Sequence, residues 1–346
     1  MKPRLLVVVL WGLGDLVIAT PFLRAASARY AVTLLARPNA LDLQARFFPE
    51  ARFIPFVAPW TAFRRKYRLL SWPWLSMFRL GRMLAAEKFA YGVSAHWDPR
   101  DHLLLRLVRA RTRLGFPRLG SQVFLDRPLA RLDPATHRYE NWRVLAQALG
   151  FALPPRQELV LPRPRPHGEV LVHTGAGQPV RVWPLERYQR LVGRLRQEGR
   201  RVQVACDLDQ REWWRQAGEP NVAAPRSVAE LAALVDRAGA FIGNDSGPGH
   251  LAALSGVPTF TIFGPQLPDW WAPLHPASEW LEGKPCPYKP CFDYCRFASP
   301  CCLLDSGEEE VAGHVQAFLQ RVLPAEAPAR ALPAAATAPG RSGSPG

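Results

Sequence analysis

The chain has 346 residues, 48% of them hydrophobic and 21% charged. That excludes intrinsic disorder for its body and exceeds one ordinary domain. Forty-four Lys and Arg face 29 Asp and Glu, a net charge of +15, so an anionic partner is expected: a nucleotide, a nucleic acid or an acidic membrane surface. The excess lies in the first half, where residues 1–165 hold 27 basic and 10 acidic side chains against 17 and 19 in residues 166–346.

The first apolar run, Leu5–Leu10, is too short for a signal peptide or a membrane span and meets Gly12 and Gly14 at once. It reads as a buried strand, Arg4–Leu10, entering a glycine turn. Helical spacing follows over Asp15–Arg29, then a strand at Ala31–Ala36. The rhythm starts again at Val170–His173 (strand), Leu185–Glu198 (helix), Arg201–Ala205 (strand) and Val228–Ala238 (helix). It continues through Ala240–Gly243 (strand), His250–Ser255 (helix) and Thr259–Phe263 (strand). Strands alternating with helices predict an α/β protein with parallel sheets and crossover helices. Between the two starts, Pro154, Pro155, Pro162, Pro164 and Pro166 mark an extended linker. The expected domains are therefore residues 1–160 and 161–323. Residues 324–346, rich in Ala, Pro, Gly and Ser, form a tail expected to be disordered. No stretch of about 20 apolar residues occurs, so the expected location is cytoplasmic, with peripheral attachment to the inner face of the membrane as an option.

Five segments carry chemistry. Leu10-Trp-Gly-Leu-Gly-Asp15 joins the first strand to the first helix. Its glycines permit a tight turn and close approach of a ligand. As a dinucleotide fingerprint it lacks the third glycine, Val17 standing there, and Arg37-Pro38 replaces the acid after the second strand. Asp15 is open to two readings: a carboxylate base at the mouth of a cleft, or a plain helix cap.

Residues 59–84 combine Trp60, Phe63, Tyr67, Trp72, Trp74 and Phe78 with Arg64, Arg65, Lys66, Arg68, Arg79 and Arg82, without an acid. That composition suits an anionic membrane surface or an amphipathic lipid acceptor. A solvated basic face over buried aromatics is the alternative, and no nucleic-acid module accompanies the charge. Val172-His-Thr-Gly-Ala-Gly177 leads to Arg181, placed to neutralise a phosphate. Gly243-Asn-Asp-Ser-Gly-Pro-Gly-His250 precedes an apolar helix, whose free N–H groups suit a diphosphate. Finally, Cys286, Cys291, Cys295, Cys301 and Cys302 fall within 17 residues. They offer enough thiolates for a structural metal, although no standard C-x2-C pair is present.

Three of these segments carry a resemblance. Gly12-Leu-Gly-Asp-Leu-Val-Ile-Ala-Thr-Pro-Phe-Leu-Arg24, His173-Thr-Gly-Ala-Gly with Arg181-Val-Trp-Pro184, and Gly243-Asn-Asp-Ser-Gly-Pro-Gly-His-Leu-Ala-Ala-Leu-Ser-Gly-Val-Pro258 resemble the heptosyltransferase-type glycosyltransferases of family 9. The resemblance implies a GT-B fold, two Rossmann-like domains facing across a cleft, with the acceptor on the first and the nucleotide-sugar on the second. It implies Asp15 as base, with Gly12 and Gly14 near the acceptor. Thr174, Gly175, Arg181, Asp245, Ser246, Gly247 and His250 would lie at the donor, and no catalytic metal is needed. The expected reaction is inverting transfer of a sugar, heptose from ADP-heptose being favoured, to a lipopolysaccharide core or related glycolipid. Cys206 and Asp207 stand where relatives often carry glycines, which leaves the donor nucleotide open. An NADP-dependent oxidoreductase and a non-catalytic sugar- or membrane-binding protein of the same fold are the rival readings.

Overall fold

The computed structural model describes residues 2–62, 68–162, 169–291 and 294–323. Two all-parallel sheets form the frame. The first contains β1 (Arg4–Val9), β2 (Ala31–Ala36), β3 (Arg52–Pro55), β4 (Tyr91–Ser94), β5 (Thr112–Gly115) and β6 (Arg127–Pro128), in the order β3-β2-β1-β4-β5-β6. Its helices are α1 (Leu13–Arg29), α2 (Leu41–Phe47), α3 (Trp74–Ala86), α4 (Pro99–Leu107) and α5 (Arg138–Ala148). The second sheet contains β7 (Glu169–His173), β8 (Val202–Ala205), β9 (Ala238–Asn244), β10 (Thr259–Phe263) and β11 (Glu279–Glu282), in the order β11-β10-β9-β7-β8. It is accompanied by α6 (Leu185–Gln197), α7 (Arg211–Gln216), α8 (Val228–Val235), α9 (Gly247–Leu254), α10 (Pro268–Trp271), α11 (Cys301–Leu304) and α12 (Glu308–Val322).

The central strands are near-continuous apolar runs because helices cover both faces of each sheet. β1 is buried from Leu5 to Val9, and β9 along its whole length. Each sheet reverses its strand order once, between β1 and β4 and between β7 and β9. Ligands of open α/β sheets bind beyond the carboxyl ends of the strands at such points. The first reversal carries the Gly12–Asp15 turn, the second the loop after His173 and the start of α9.

These two places face each other. A Cβ on Gly14 would lie 2.8 Å from His250 Cδ2, and one on Gly247 would lie 2.8 Å from Leu13 Cβ. Only glycine permits that approach. Behind it, one apolar cluster crosses from sheet to sheet, with Leu16 and Val17 of α1, Val228 and Leu231 of α8 and Leu251 and Leu254 of α9. Arg46 pairs with Asp236 at 2.6 Å, and Asp42 Oδ2 accepts from the Ala229 amide at 3.1 Å, tying α2 to the α8 region.

The strands at Ala31–Ala36 and Thr259–Phe263 stand where periodicity put them. The helix expected over Val228–Ala238 stops at Val235, because Ala238 already pairs with Glu169 and opens β9. The helix expected from His250 starts at Gly247, with Pro248 in the first turn where its missing N–H costs nothing.

The packing makes a direct prediction. Gly247→Ala should cost about 1–3 kcal/mol by overpacking against Leu13. Gly81→Ala, in α3 with no described residue within 4 Å of its Cβ, should be neutral or stabilise by up to about 1 kcal/mol. Denaturant unfolding of the two variants checks the contrast.

Candidate active site

Asp15 occupies the first turn of α1. Its Oδ2 accepts the Gly12 amide at 2.8 Å, so the plain capping role is real. The same carboxylate has a second partner: Oδ1 lies 3.2 Å from His96 Nε2, and the Asp15 side chain is only 16% exposed. Parallel pairing of β1 with β4, Val8 opposite Ser94, brings His96 beside the glycine turn. The His96 ring stacks on Trp11 with centroids 5.4 Å apart. Burial pushes the Asp15 carboxyl up, but His96, the Gly12 amide and His250 together outweigh it and hold it below its usual value. Burial likewise works against the His96 imidazolium, and Asp15 outweighs it, so this histidine is raised.

A narrow crevice runs from Asp15 and His96 past Asn141 and Trp142 to Arg138 and Trp271. Arg138, at the start of α5, is sandwiched between Trp97 and Trp270. Its guanidinium carbon is 4.2 and 4.0 Å from the two ring centroids. One tryptophan belongs to each half of the molecule, so this cation–π stack bridges the cleft. Beside it Trp270 Nε1 donates to the Pro134 carbonyl, and the His137 ring meets the Ala272 carbonyl at 2.9 Å. Burial lowers Arg138 to about 10, which leaves it charged at neutral pH.

Across the cleft, Asn244 is fully buried at the end of β9 and acts as a hub. Its Oδ1 accepts from the Trp183 amide (3.0 Å) and the Tyr188 hydroxyl (2.9 Å), and its Nδ2 donates to the Thr174 carbonyl (2.9 Å). It thus fixes the loop after β7, the entry to α6 and the start of α9 relative to one another. Asp245, 4% exposed, faces Arg181 Nη1 at 3.4 Å. Burial pushes Asp245 up to about 6; Arg181 pulls it back and the charge of Asp15 adds to the rise. His250 is lowered to about 4 by burial and is neutral at pH 7. Ser246 Oγ, His250 Nδ1 and Arg181 Nε are buried without a partner among the described residues, a pattern that suits a polar ligand.

Thr174, expected at the donor, has its side chain engaged within the loop. Its Oγ1 donates to Gln210 and accepts from Trp214 Nε1, so its side chain orders the loop from within. A Cβ on Gly175 would lie 2.3 Å from the Asp207 carboxyl, so a larger residue there would displace that carboxylate. Asp207 itself, with Asp209, Gln210, Gly177 and Val182, lines a cavity of about 480 Å³, a size that holds a small-molecule ligand.

The cysteines expected to offer a metal ligand set are not gathered into one. Among the described residues no group of three or more His, Cys, Asp or Glu is arranged around a common point. Cys291 Sγ donates instead to the Tyr288 carbonyl at 3.2 Å, and burial pushes the Cys302 thiol up to about 11. The aromatic basic segment divides. Trp60 is core and donates to buried Asp101, whereas Leu70, Trp74, Leu75 and Phe78 are exposed beside exposed Arg68, Arg79 and Arg82. Phe63, Arg64, Arg65, Lys66 and Tyr67 lie outside the described residues, as does the tail from 324.

The model of glycosyltransferase family 9 (heptosyltransferase) matches residues 77–299, well over half of the chain. The chain belongs to glycosyltransferase family 9. Lipopolysaccharide heptosyltransferase 3 of Escherichia coli K12 is 30% identical over 113 residues, a match spanning 30% of this chain and 33% of that relative. Two solved E. coli structures share the fold. The heptosyltransferase WaaC with ADP superposes with a TM-score of 0.70 at 19% identity, over 92% of this chain and 99% of WaaC. The ADP-heptose lps heptosyltransferase II gives 0.67 at 18%, over 92% and 99%. This family 9 chain therefore has the GT-B fold, two parallel-sheet halves across a cleft. The matched region begins beyond the Gly12–Asp15 turn, so the case for Asp15 rests on geometry.

His96, Arg138 and the loop-ordering role of Thr174 escape sequence reasoning. A lone His after the short run Tyr91–Ala95 carries no periodic signal, and the strand before Arg138, β6, is only two residues long. The hub is the most exposed to test. Asn244→Ala strips hydrogen bonds at a buried point and should destabilise by about 2–4 kcal/mol, read by denaturant unfolding. Thr261→Ala, whose Oγ1 is buried without a partner among the described residues, should cost less than half as much.

Proposed function

We propose that the chain is an inverting glycosyltransferase that moves heptose from ADP-heptose onto a lipopolysaccharide core or related glycolipid. Residues 1–160 take the acceptor and 161–323 the donor. One observation carries the reading: a buried carboxylate, Asp15, faces the N-terminus of α9 with Arg181 and His250 across a gap that only glycine allows. The ADP of the WaaC structure supports an adenine nucleotide.

In this reading the acceptor hydroxyl attacks the anomeric carbon while Asp15 receives its proton. The departing diphosphate gains charge, which Arg181, the amides of Ser246 and Gly247 and the α9 dipole stabilise. A single displacement from the face opposite the leaving group inverts the centre. The charge on the leaving group is met by protein groups, so no step calls for a catalytic metal, and the cysteine segment has no task in the reaction.

The oxidoreductase alternative places a dinucleotide pyrophosphate at the Gly12–Gly14 turn. There the Gly12 amide is already bonded to Asp15 and Gly14 lies against His250, so the approach is filled.

The acceptor of this reading is a lipid, and α3 suits its surroundings. The helix turns Trp74, Leu75 and Phe78 outward, Phe78 being 63% exposed, with Arg79 and Arg82 alongside. Such a face suits anionic headgroups, which would hold the enzyme at the cytoplasmic face of the membrane. No helix among the described residues is long and apolar enough to cross it.

Two tests follow. Calorimetry with ADP, UDP, GDP, CDP and NADP should show preference for ADP, weakened about 10-fold or more by Arg181→Ala and little changed by Asp15→Asn, while the latter abolishes transfer. Preference for NADP would return the oxidoreductase reading. Sedimentation with phosphatidylglycerol vesicles should capture the protein, phosphatidylcholine vesicles should not, and Leu75→Glu with Phe78→Glu should release it.

A further inference from the structure

Asp15 does not stand alone. Its Oδ2 is held by the Gly12 amide at 2.8 Å and its Oδ1 faces His96 Nε2 at 3.2 Å. His96 is braced in turn: its ring stacks on Trp11, and its backbone amide donates to Ser94 Oγ at 3.2 Å. That hydroxyl donates to Oδ2 of Asp101 at 3.2 Å, and Asp101 Oδ1 accepts from Trp60 Nε1 at 3.1 Å. Asp101 is fully buried and has no part in the reaction described above.

We infer that His96 is the positioning residue that sets the proton-accepting power of Asp15, and that the Asp15–His96 pair receives the acceptor's proton. The inference rests on the transferase reading. The acceptor O–H bond breaks and its proton goes to the pair. The acceptor oxygen bonds to the anomeric carbon, and the carbon–diphosphate bond breaks with its electrons leaving on the diphosphate oxygen. The pair starts as carboxylate and neutral imidazole, charge −1, and ends neutral overall with one proton more.

An isolated aspartate is a weak base toward a hydroxyl, because its acid form gives the proton up near pH 4. In its Nδ1–H tautomer a neutral His96 turns the Nε2 lone pair toward Asp15 Oδ1, so a proton that reaches the carboxylate passes on to Nε2 and leaves an ion pair. Once His96 is an imidazolium the pair already carries that proton, and Asp15 is spent in an ion pair.

The groups around His96 fix the direction of its pH dependence. Asp15 on α1, Asp98 at the cap of α4 and Asp101 within α4 favour the imidazolium. Arg138 on α5 opposes it. Across the cleft His250 stays neutral at pH 7 and Asp245 is screened by Arg181. Asp15 outweighs the burial that works against the charge, so the competent neutral form of His96 appears as pH rises through a value above the ordinary histidine range of about 6.5.

The test is the pH profile of kcat/KM from pH 5.5 to 9.5 for the full chain, with ADP-heptose and a lipopolysaccharide-core acceptor, beside His96→Gln. Glutamine can still donate to Asp15 but takes no proton. The wild type should rise to a plateau, and His96→Gln should fall 10- to 100-fold at that plateau and lose the rising limb. An unchanged profile in His96→Gln overturns the inference. A second readout needs no turnover: the His96 Cε1–H resonance in isotope-labelled protein, assigned by its loss in His96→Gln. It should titrate above pH 6.5 and move down by at least one pH unit in Asp15→Asn; a midpoint indifferent to Asp15→Asn overturns the pairing. If no sugar is transferred at all, the reaction reading fails, and this resonance alone judges the pair.

Discussion

The close approach of two helix starts governs the molecule. α1 and α9 meet so tightly that Gly14 and Gly247 have no room for a Cβ. Each helix points its partial positive end, with unsatisfied N–H groups, into the same gap. Two such ends side by side repel one another and attract negative charge. The chain answers the first with Asp15 and Asp245, one carboxylate at each helix start. The second property is what a site for a departing diphosphate needs.

The ionisable groups in the gap are balanced rather than simply positive. Asp15 is held ionised by His96, and Asp245 is raised by burial and by Asp15 while Arg181 draws it back. His250 is kept neutral, which frees its ring to donate without adding a fixed charge. Arg138 sits over the crevice between tryptophans from both halves. It holds the cleft together by stacking as well as by charge, a task the flatter guanidinium performs better than an ammonium.

The doubled sheet architecture was legible because β1, β2, β9 and β10 are largely apolar runs alternating with helical periods. The glycine segments were legible because turns at helix starts have few chemical solutions. Much of the first half was not. β3 to β6 are two to four residues long, too short for alternation to show, and so the residues at their ends had no frame. His96 is the clearest case: it becomes a partner of Asp15 only through the pairing of β4 with β1, a contact between residues about 80 apart in sequence. Asp207 needed the structure as well. It stands where relatives often carry a glycine, packs on Gly175 and lines the cavity of about 480 Å³. The cysteine cluster was conspicuous in sequence because of spacing alone, and spacing does not require the sulfurs to converge.

The most direct test of the account is the position of the diphosphate in a crystal structure of the protein with ADP. The account predicts both phosphates at the start of α9, within hydrogen-bond reach of the Ser246 and Gly247 amides and of Arg181, with Asp15 across the gap. A diphosphate seated at the Gly12–Gly14 turn, or away from α9 altogether, would contradict it.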